Sequence, residues 1–278
     1  MTTIQTPPQP AVVRAETVPH TKPKDPLLSR TWVKVGLPLL VLALGVGAWE
    51  VASQTGLVNP ITVPPASDTF AAMIDLSTKD YFWHAAWITL QETLLGFLIG
   101  STLGLVLGAL TGTFAVFRTA LWPFIVAIQN TPRVALAPVF LTWFGFGMTS
   151  KVVMAAVICF FPVVINTVAG LSSVDANARM LFRTYGATTS QTFFRLTLPT
   201  AAPVTFAGIK TALTLALLGA IVGEFVGASE GLGVLVNEFN FQLEVAMGFA
   251  VVVYLAVIGL ILYALIEWLE RRLITWSN

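Results

Sequence analysis

The sequence predicts an all-α integral membrane protein with six transmembrane helices and both termini in the cytosol. Three observations predict it. The 278 residues are 56% hydrophobic and 10% charged, with a mean hydropathy of +0.81, whereas a soluble domain is about a quarter charged. Six apolar runs lie at roughly 33–53, 84–112, 119–147, 151–172, 200–225 and 246–268, each near or beyond the ~20 helical residues that cross a ~30 Å hydrocarbon core. Lysine and arginine also segregate, which marks the cytosolic side. Arg14, Lys22, Lys24, Arg30 and Lys34, then Arg118, then Arg179, Arg183 and Arg195, then Arg271 and Arg272 fall on one side, against only Lys79 and the boundary Lys151 on the other.

Residues 1–31 are rich in proline, threonine and charge and have no periodicity. They read as a disordered cytosolic tail ahead of a transmembrane domain at 32–278. The first run could be a cleaved signal peptide, because Val51-Ala52-Ser53 resembles a cleavage site, but the long tail and Glu50 favour a retained span. Residues 54–83 lie outside. Phe70, Ala71, Ile74 and Leu76 recur at roughly helical spacing there, giving either a short helix on the outer face or a docking site for an outside partner. Trp49, Trp83, Trp122, Trp268 and Trp276 sit near span ends, as interfacial aromatics do.

The second span carries Gly96, Gly100, Gly104, Gly108 and Gly112, one every fourth residue. Four residues are just over one helical turn, so these glycines form a smooth, slowly drifting stripe. Such a stripe lets another backbone approach closely, either within the subunit or between subunits; packing within the subunit is the favoured reading. Pro132, Arg133 and Pro138 interrupt the third span, so it is a broken or kinked helix.

Ionisable groups in the spans need explanations, because each costs about 2.5–3.5 kcal/mol at a helix centre on insertion scales. Arg133 sits beside Gln129, Asn130 and Thr131 at the interrupted span. It either contacts an anionic substrate bidentately or holds structure, by pairing with Glu92 or Glu224 or by reaching the interface. Gln129, Asn130, Arg133 and Glu224 are therefore the candidate pathway residues. Glu224, at the outer end of the fifth span, has a structural or gating role or contacts substrate. Glu92 faces the subunit interior, and Lys210 snorkels towards the cytosol. The outer stretch 227–244 is acidic through Glu230, Glu238 and Glu244; it meets an outside partner or is a solvated loop.

Between the fourth and fifth spans the chain turns polar and basic. Asp175 can cap a helix over 176–184, Gly186 supplies a turn, and Thr188 and Gln191 have capping-box spacing for a second short helix. Pro199 then marks the return to the membrane. Phe193 and Leu196 share a face. Such a piece either lies on headgroups or inserts as a plug into another protein.

Several function classes lack their residues. A net charge of +1 suggests no nucleic-acid face. Cys159 is alone in an apolar run and reads as a small core residue. His20 and His84 are far apart, and no P-loop, Gly-x-Ser-x-Gly or dinucleotide fingerprint occurs.

The stretch "YGATTSQTFFRLTLPTAAP" resembles the cytoplasmic loop of ABC importer permeases, whose consensus is Glu-Ala-Ala, three residues, Gly, nine residues, Ile, one residue, Leu-Pro. Gly186, Leu196, Leu198 and Pro199 fall at the matching spacings, while the Glu-Ala-Ala positions hold Met180, Leu181 and Phe182. "TPRVALAPVFLTWFGFGMTSKV" (131–152), "GEFVGASEGLGVLVNE" (223–238) and the closing "LIEWLERRLITW" are similar to the branch with nitrate, sulfonate, taurine and bicarbonate permeases. The resemblance implies a type I importer core with a cytosolic coupling helix in loop 173–199, in a bacterial-type inner membrane. Two permease chains, read as identical, would form the pathway. Two cytosolic ABC ATPases would dock around Arg183, Gly186, Ala187, Thr188, Phe193, Leu196, Leu198 and Pro199. An extracytoplasmic binding protein would deliver a small, anionic solute of the sulfonate or nitrate kind. ATP and magnesium would be bound by the ATPase; this chain would bind no cofactor and catalyse nothing.

A secondary transporter is the alternative; it needs no ATPase and often shows an internal repeat, which this chain does not. A membrane-embedded enzyme would need a convergent set of acids, histidines or metal ligands, also missing here.

Overall fold

The computed structural model describes residues 31–59 and 61–276, with side chains from residue 36 onward. The expected cytosolic tail, apart from Thr31, lies outside the described residues. In chain order the helices are α1 (Thr31–Gln54), α2 (Ala66–Ser77), α3 (Asp80–Thr113), α4 (Ala115–Gln129), α5 (Ala137–Phe144), α6 (Met148–Ser172), α7 (Ala176–Thr184), α8 (Thr189–Thr192), α9 (Leu198–Gly227), α10 (Leu232–Phe241) and α11 (Val245–Leu273). A 3-10 turn, Arg133–Leu136, precedes α5, and a π-helical turn, Phe193–Thr197, joins α8 to α9. No strand occurs among the described residues. Five helical runs are long and apolar enough to cross a membrane; α4 and the 133–144 segment make a sixth if that bent pair is one span.

The chain divides into two compact units between Ala48 and Trp49, within α1. In the first unit Leu39, Leu40, Val41 and Leu42 are all exposed on successive positions. A helix apolar on every side suits lipid.

In the second unit α6 packs between α3 and α9. The α3 face is the glycine ladder. A methyl group at Gly104 would lie 2.9 Å from the Phe160 carbonyl and the Val163 Cβ; at Gly108 it would lie 2.7 Å from the Thr167 Cβ, and at Gly112 2.7 Å from the Leu171 Cδ1. Gly96 and Gly100 meet Ala155, Ala156 and Cys159 more closely still. The ladder is thus filled by α6 of the same chain. The same small residues of α6 serve α9 too: Ala155, Cys159 and Val163 pack with Ala212, Ala216 and Ala220 of α9. Lipid gives helices no hydrophobic reason to associate, so small residues, which let backbones approach, supply dispersion contact instead.

The helix expected on the outer side is present as α2, which buries Thr69, Ala72 and Leu76 and leaves Phe70 and Ile74 exposed. It packs on α11, where the Tyr254 hydroxyl donates to the Met73 carbonyl at 3.0 Å. Small Ala72 permits that approach. One element differs from the sequence expectation: Pro199 does not end a separate helix. The helical run is continuous from Thr189 to Gly227. The Leu198 N–H reaches back to the Phe193 carbonyl, and this widened turn makes room for the proline ring that a regular turn would crowd.

The third span breaks sharply. The segment after Arg133 is bent 85° from α4. Pro132 forbids continuation of α4 because the residue before a proline avoids the helical region. Pro138 sits in the first turn of α5, where its missing donor is harmless.

Candidate functional site

Three places carry the candidate residues. The first is the break. Gln129 and Asn130 end α4 and are exposed; Arg133 is half-buried. Arg133 Nη1 donates to the Ile158 carbonyl at 3.2 Å and Nη2 to the Gln129 carbonyl at 3.3 Å. Its guanidinium lies 5.0 Å from the centroid of the Phe161 ring. The expected pairing of Arg133 with Glu92 or Glu224 is not what the structure shows: backbone carbonyls and an aromatic face hold it instead. Two of the five N–H groups are committed, so the fork keeps donors for a ligand.

The second place is a buried polar knot at the other end of α9. Glu224 is 1% exposed, Lys151 1% and Glu92 2%. Glu224 Oε1 accepts from the Thr89 hydroxyl at 2.6 Å and Oε2 from the Gly233 N–H at 2.5 Å. The Thr89 oxygen in turn accepts from the Leu232 N–H at 2.8 Å. The start of α10 thus wraps the carboxylate, and Gly233 stands so close that a methyl group there would lie 2.8 Å from Oε2. Lys151 Nζ donates to the carbonyls of Gly147 (3.1 Å), Gly227 (3.0 Å) and Phe146. It therefore ties the turn between α5 and α6 to the end of α9, whose C-terminus is a natural partner for a cation. Lys151, read from the sequence as a boundary residue, is a core residue. Lys210 does not simply snorkel: it pairs with Glu270 on α11 at 2.7 Å.

The third place is the 173–199 segment. The Asp175 side chain accepts from the Asn177 N–H at 3.0 Å and so caps α7. Gly186 takes φ +76°, a conformation that suits glycine. Thr188 and Gln191 form a reciprocal capping box at 2.9 and 3.2 Å. Phe193 and Leu196 are partly buried and Ala187 likewise, while Thr188, Arg183 and Leu198 are exposed and Pro199 is half-buried. The Trp276 indole donates to the Pro199 carbonyl at 3.0 Å. The apolar groups most available to a partner are Met180 (66% exposed), Tyr185 (83%), Phe194 (62%) and Leu181 (54%). Their exposure was not legible in the sequence, because it depends on the rotation of each helix.

Residues 100–275 match the family model described as binding-protein-dependent transport system inner membrane component. The chain belongs to this family. It is 35% identical over 241 residues to the formylaminopyrimidine transport permease protein ThiX of Halalkalibacterium halodurans, covering 87% of this chain and 96% of that protein. It is 35% identical over 265 residues to the riboflavin transport system permease protein RibX of Chloroflexus aurantiacus, covering 94% and 98%. It is 31% identical over 248 residues to the putative aliphatic sulfonates transport permease protein SsuC of Bacillus subtilis, covering 89% and 88%. An inward-facing structure of the MetNI methionine ABC transporter superposes with a TM-score of 0.57 at 20% identity, covering 71% of this chain and 96% of that one, and shows the shared fold.

This permease is accordingly a multi-pass inner-membrane subunit of an ATP-driven, binding-protein-dependent importer. The ATPase and the binding protein are separate subunits, and the permease is not itself the catalyst. A secondary transporter, which needs neither partner, is set aside by the family. Sequence reasoning named Glu224 and Arg133, read Lys151 as a boundary residue and did not single out Thr89, because the contacts of both depend on which helices lie beside them.

Proposed function

We propose that two identical copies of this permease line the pathway, with 173–199 in the cytosol as the coupling segment. The observation that carries this reading is the knob formed by α7, α8 and the turns that follow them: Met180, Leu181, Tyr185 and Phe194 stand exposed there beside Arg183. Exposed aromatic and apolar groups clustered on a capped element suit a protein socket. Gly186, Ala187 and Thr188 set the turn between the two helices; Phe193, Leu196, Leu198 and Pro199 root the knob in α9. Cytosolic ATPases dock there and bind ATP and magnesium, and membrane lipid covers the apolar spans.

The cargo is a small solute with an acidic or strongly accepting group, delivered by the outer binding protein. Support comes from the sulfonate permeases among the relatives and from the uncommitted donors of Arg133. The ThiX and RibX names point to heteroaromatic cargo, which also presents acceptors. The domain division follows: residues 1–31 are a tail dispensable for transport, and 32–278 are the transporting part.

The test is co-purification. The permease co-expressed with its ATPase should pull it down in stoichiometric amount, and Tyr185→Glu should release the ATPase while the permease still inserts. An unchanged yield of ATPase with Tyr185→Glu would overturn the placement of the socket.

A further inference from the structure

A cavity of about 250 Å³ lies where the ends of α3 and α6 meet the coupling segment. Arg179, Arg183, Thr113, Thr189 and Thr192 are among its lining residues, and none of the lining residues is acidic. Neither arginine makes an ion pair among the described residues. Arg179 is oriented by a bond from Nη2 to the Leu171 carbonyl at 2.9 Å, yet its Nε is buried without a partner. Two positive charges face a small, hydroxyl-lined space, and one of them is fixed and under-satisfied.

We propose that this cavity binds a phosphate group. Guanidinium forks match phosphate oxygens bidentately, and threonine hydroxyls add donors. The volume is below the ~300–1,000 Å³ of pockets for drug-sized ligands, which limits the guest to a headgroup-sized anion. The group comes from an anionic lipid of the cytosolic leaflet or from free phosphate. Basic pockets at that depth attract anionic headgroups. A bound phosphate bridges the span ends to α7 and α8, and so sets the position of the knob that meets the ATPase. This inference rests on the cytosolic placement of 173–199. Labelling of Ser190→Cys from the cytosolic side reports that placement separately.

The experiment uses the intact complex of permease and ATPase in detergent. Native mass spectrometry follows bound phosphatidylglycerol against phosphatidylcholine, and thermal unfolding follows inorganic phosphate. Preferential retention of phosphatidylglycerol, about tenfold weaker in Arg179→Gln, supports the site with lipid as its source. Stabilisation by inorganic phosphate that Arg179→Gln abolishes, without lipid preference, supports it with a soluble source. Equal binding of both probes by wild type and Arg179→Gln overturns it. Should Arg179→Gln fail to assemble, Thr189→Glu places a carboxylate at the cavity, and undiminished binding by that variant overturns the proposal equally.

Discussion

Lys151 and Glu224 do opposite work at the same end of α9: one supplies donors to orphaned carbonyls, the other accepts from the orphaned Gly233 N–H and from the Thr89 hydroxyl. Helix ends buried in a membrane bundle have no water to serve them, so these side chains replace it. Removing either leaves its own partners unpaired. Lys151→Met strips three carbonyls of their donor and leaves Glu92 and Glu224 without a positive neighbour. Each buried acceptor left without its donor costs ~1–3 kcal/mol. The purified complex is expected to melt at clearly lower temperature, and adding Glu92→Gln should recover part of the loss. A melting temperature unchanged in Lys151→Met would show that the knot holds nothing together. Glu224→Gln is milder: an amide can accept from Thr89 or from the Gly233 N–H, not both, at a loss of ~1–3 kcal/mol. At the break, Arg133→Ala is expected to cut uptake about tenfold or more while the complex still assembles, since a charged hydrogen bond contributes ~1.5–3 kcal/mol; full uptake by that variant removes Arg133 from the pathway.

The elements show what a sequence can and cannot reveal. The four-residue spacing of the glycine stripe, the Asp175 cap and the Thr188–Gln191 box were legible because each is a local pattern with a local cause. The 85° break was legible in kind, from Pro132 and Pro138, but not in angle, which depends on what packs against α5. The turn at 193–197 was not legible: choosing a wider turn over a helix stop depends on accommodating Pro199, and on the Trp276 indole that reaches it from the far end of the chain. The helix at α2 was legible from its spacing, but its packing on α11 was not, because that partner lies far away in sequence. For the ladder the consequence can be measured. Gly104→Leu drives a side chain into the Phe160 carbonyl and Val163, each already 2.9 Å from where a Cβ would sit. Overpacking costs ~1–3 kcal/mol even in soluble cores that can relax. Here the obstacle includes backbone, so loss of the monodisperse complex in size-exclusion chromatography is expected. Normal assembly and uptake by Gly104→Leu would mean that α3 and α6 do not touch as described.

At the scale of the whole molecule, one helical run connects the two ends that matter. From Thr189 to Gly227 it holds 39 residues, or about 58 Å at the helical rise of ~1.5 Å. Its first turns belong to the knob proposed to meet the ATPase, and its last turn carries Glu224 and Gly227, bound into the outer knot. A continuous helix transmits a push along its axis, whereas two helices joined by a flexible loop would absorb it. An inward/outward equilibrium biased by nucleotide binding needs such an element, because a ligand shifts only the states it contacts differentially. Thr211 lies exposed in the middle of this run, with its hydroxyl on the Ala207 carbonyl at 3.0 Å. Thr211→Pro removes a backbone donor and kinks the helix at a cost of ~3 kcal/mol, while Thr211→Ala leaves the backbone untouched. In proteoliposomes the proline variant should retain its ATPase partner and basal hydrolysis yet lose about tenfold or more of uptake driven by the binding protein, and the alanine variant should match wild type. Uptake sustained by Thr211→Pro in an assembled complex would show that motion reaches the outer face by another route, through α3 and α6.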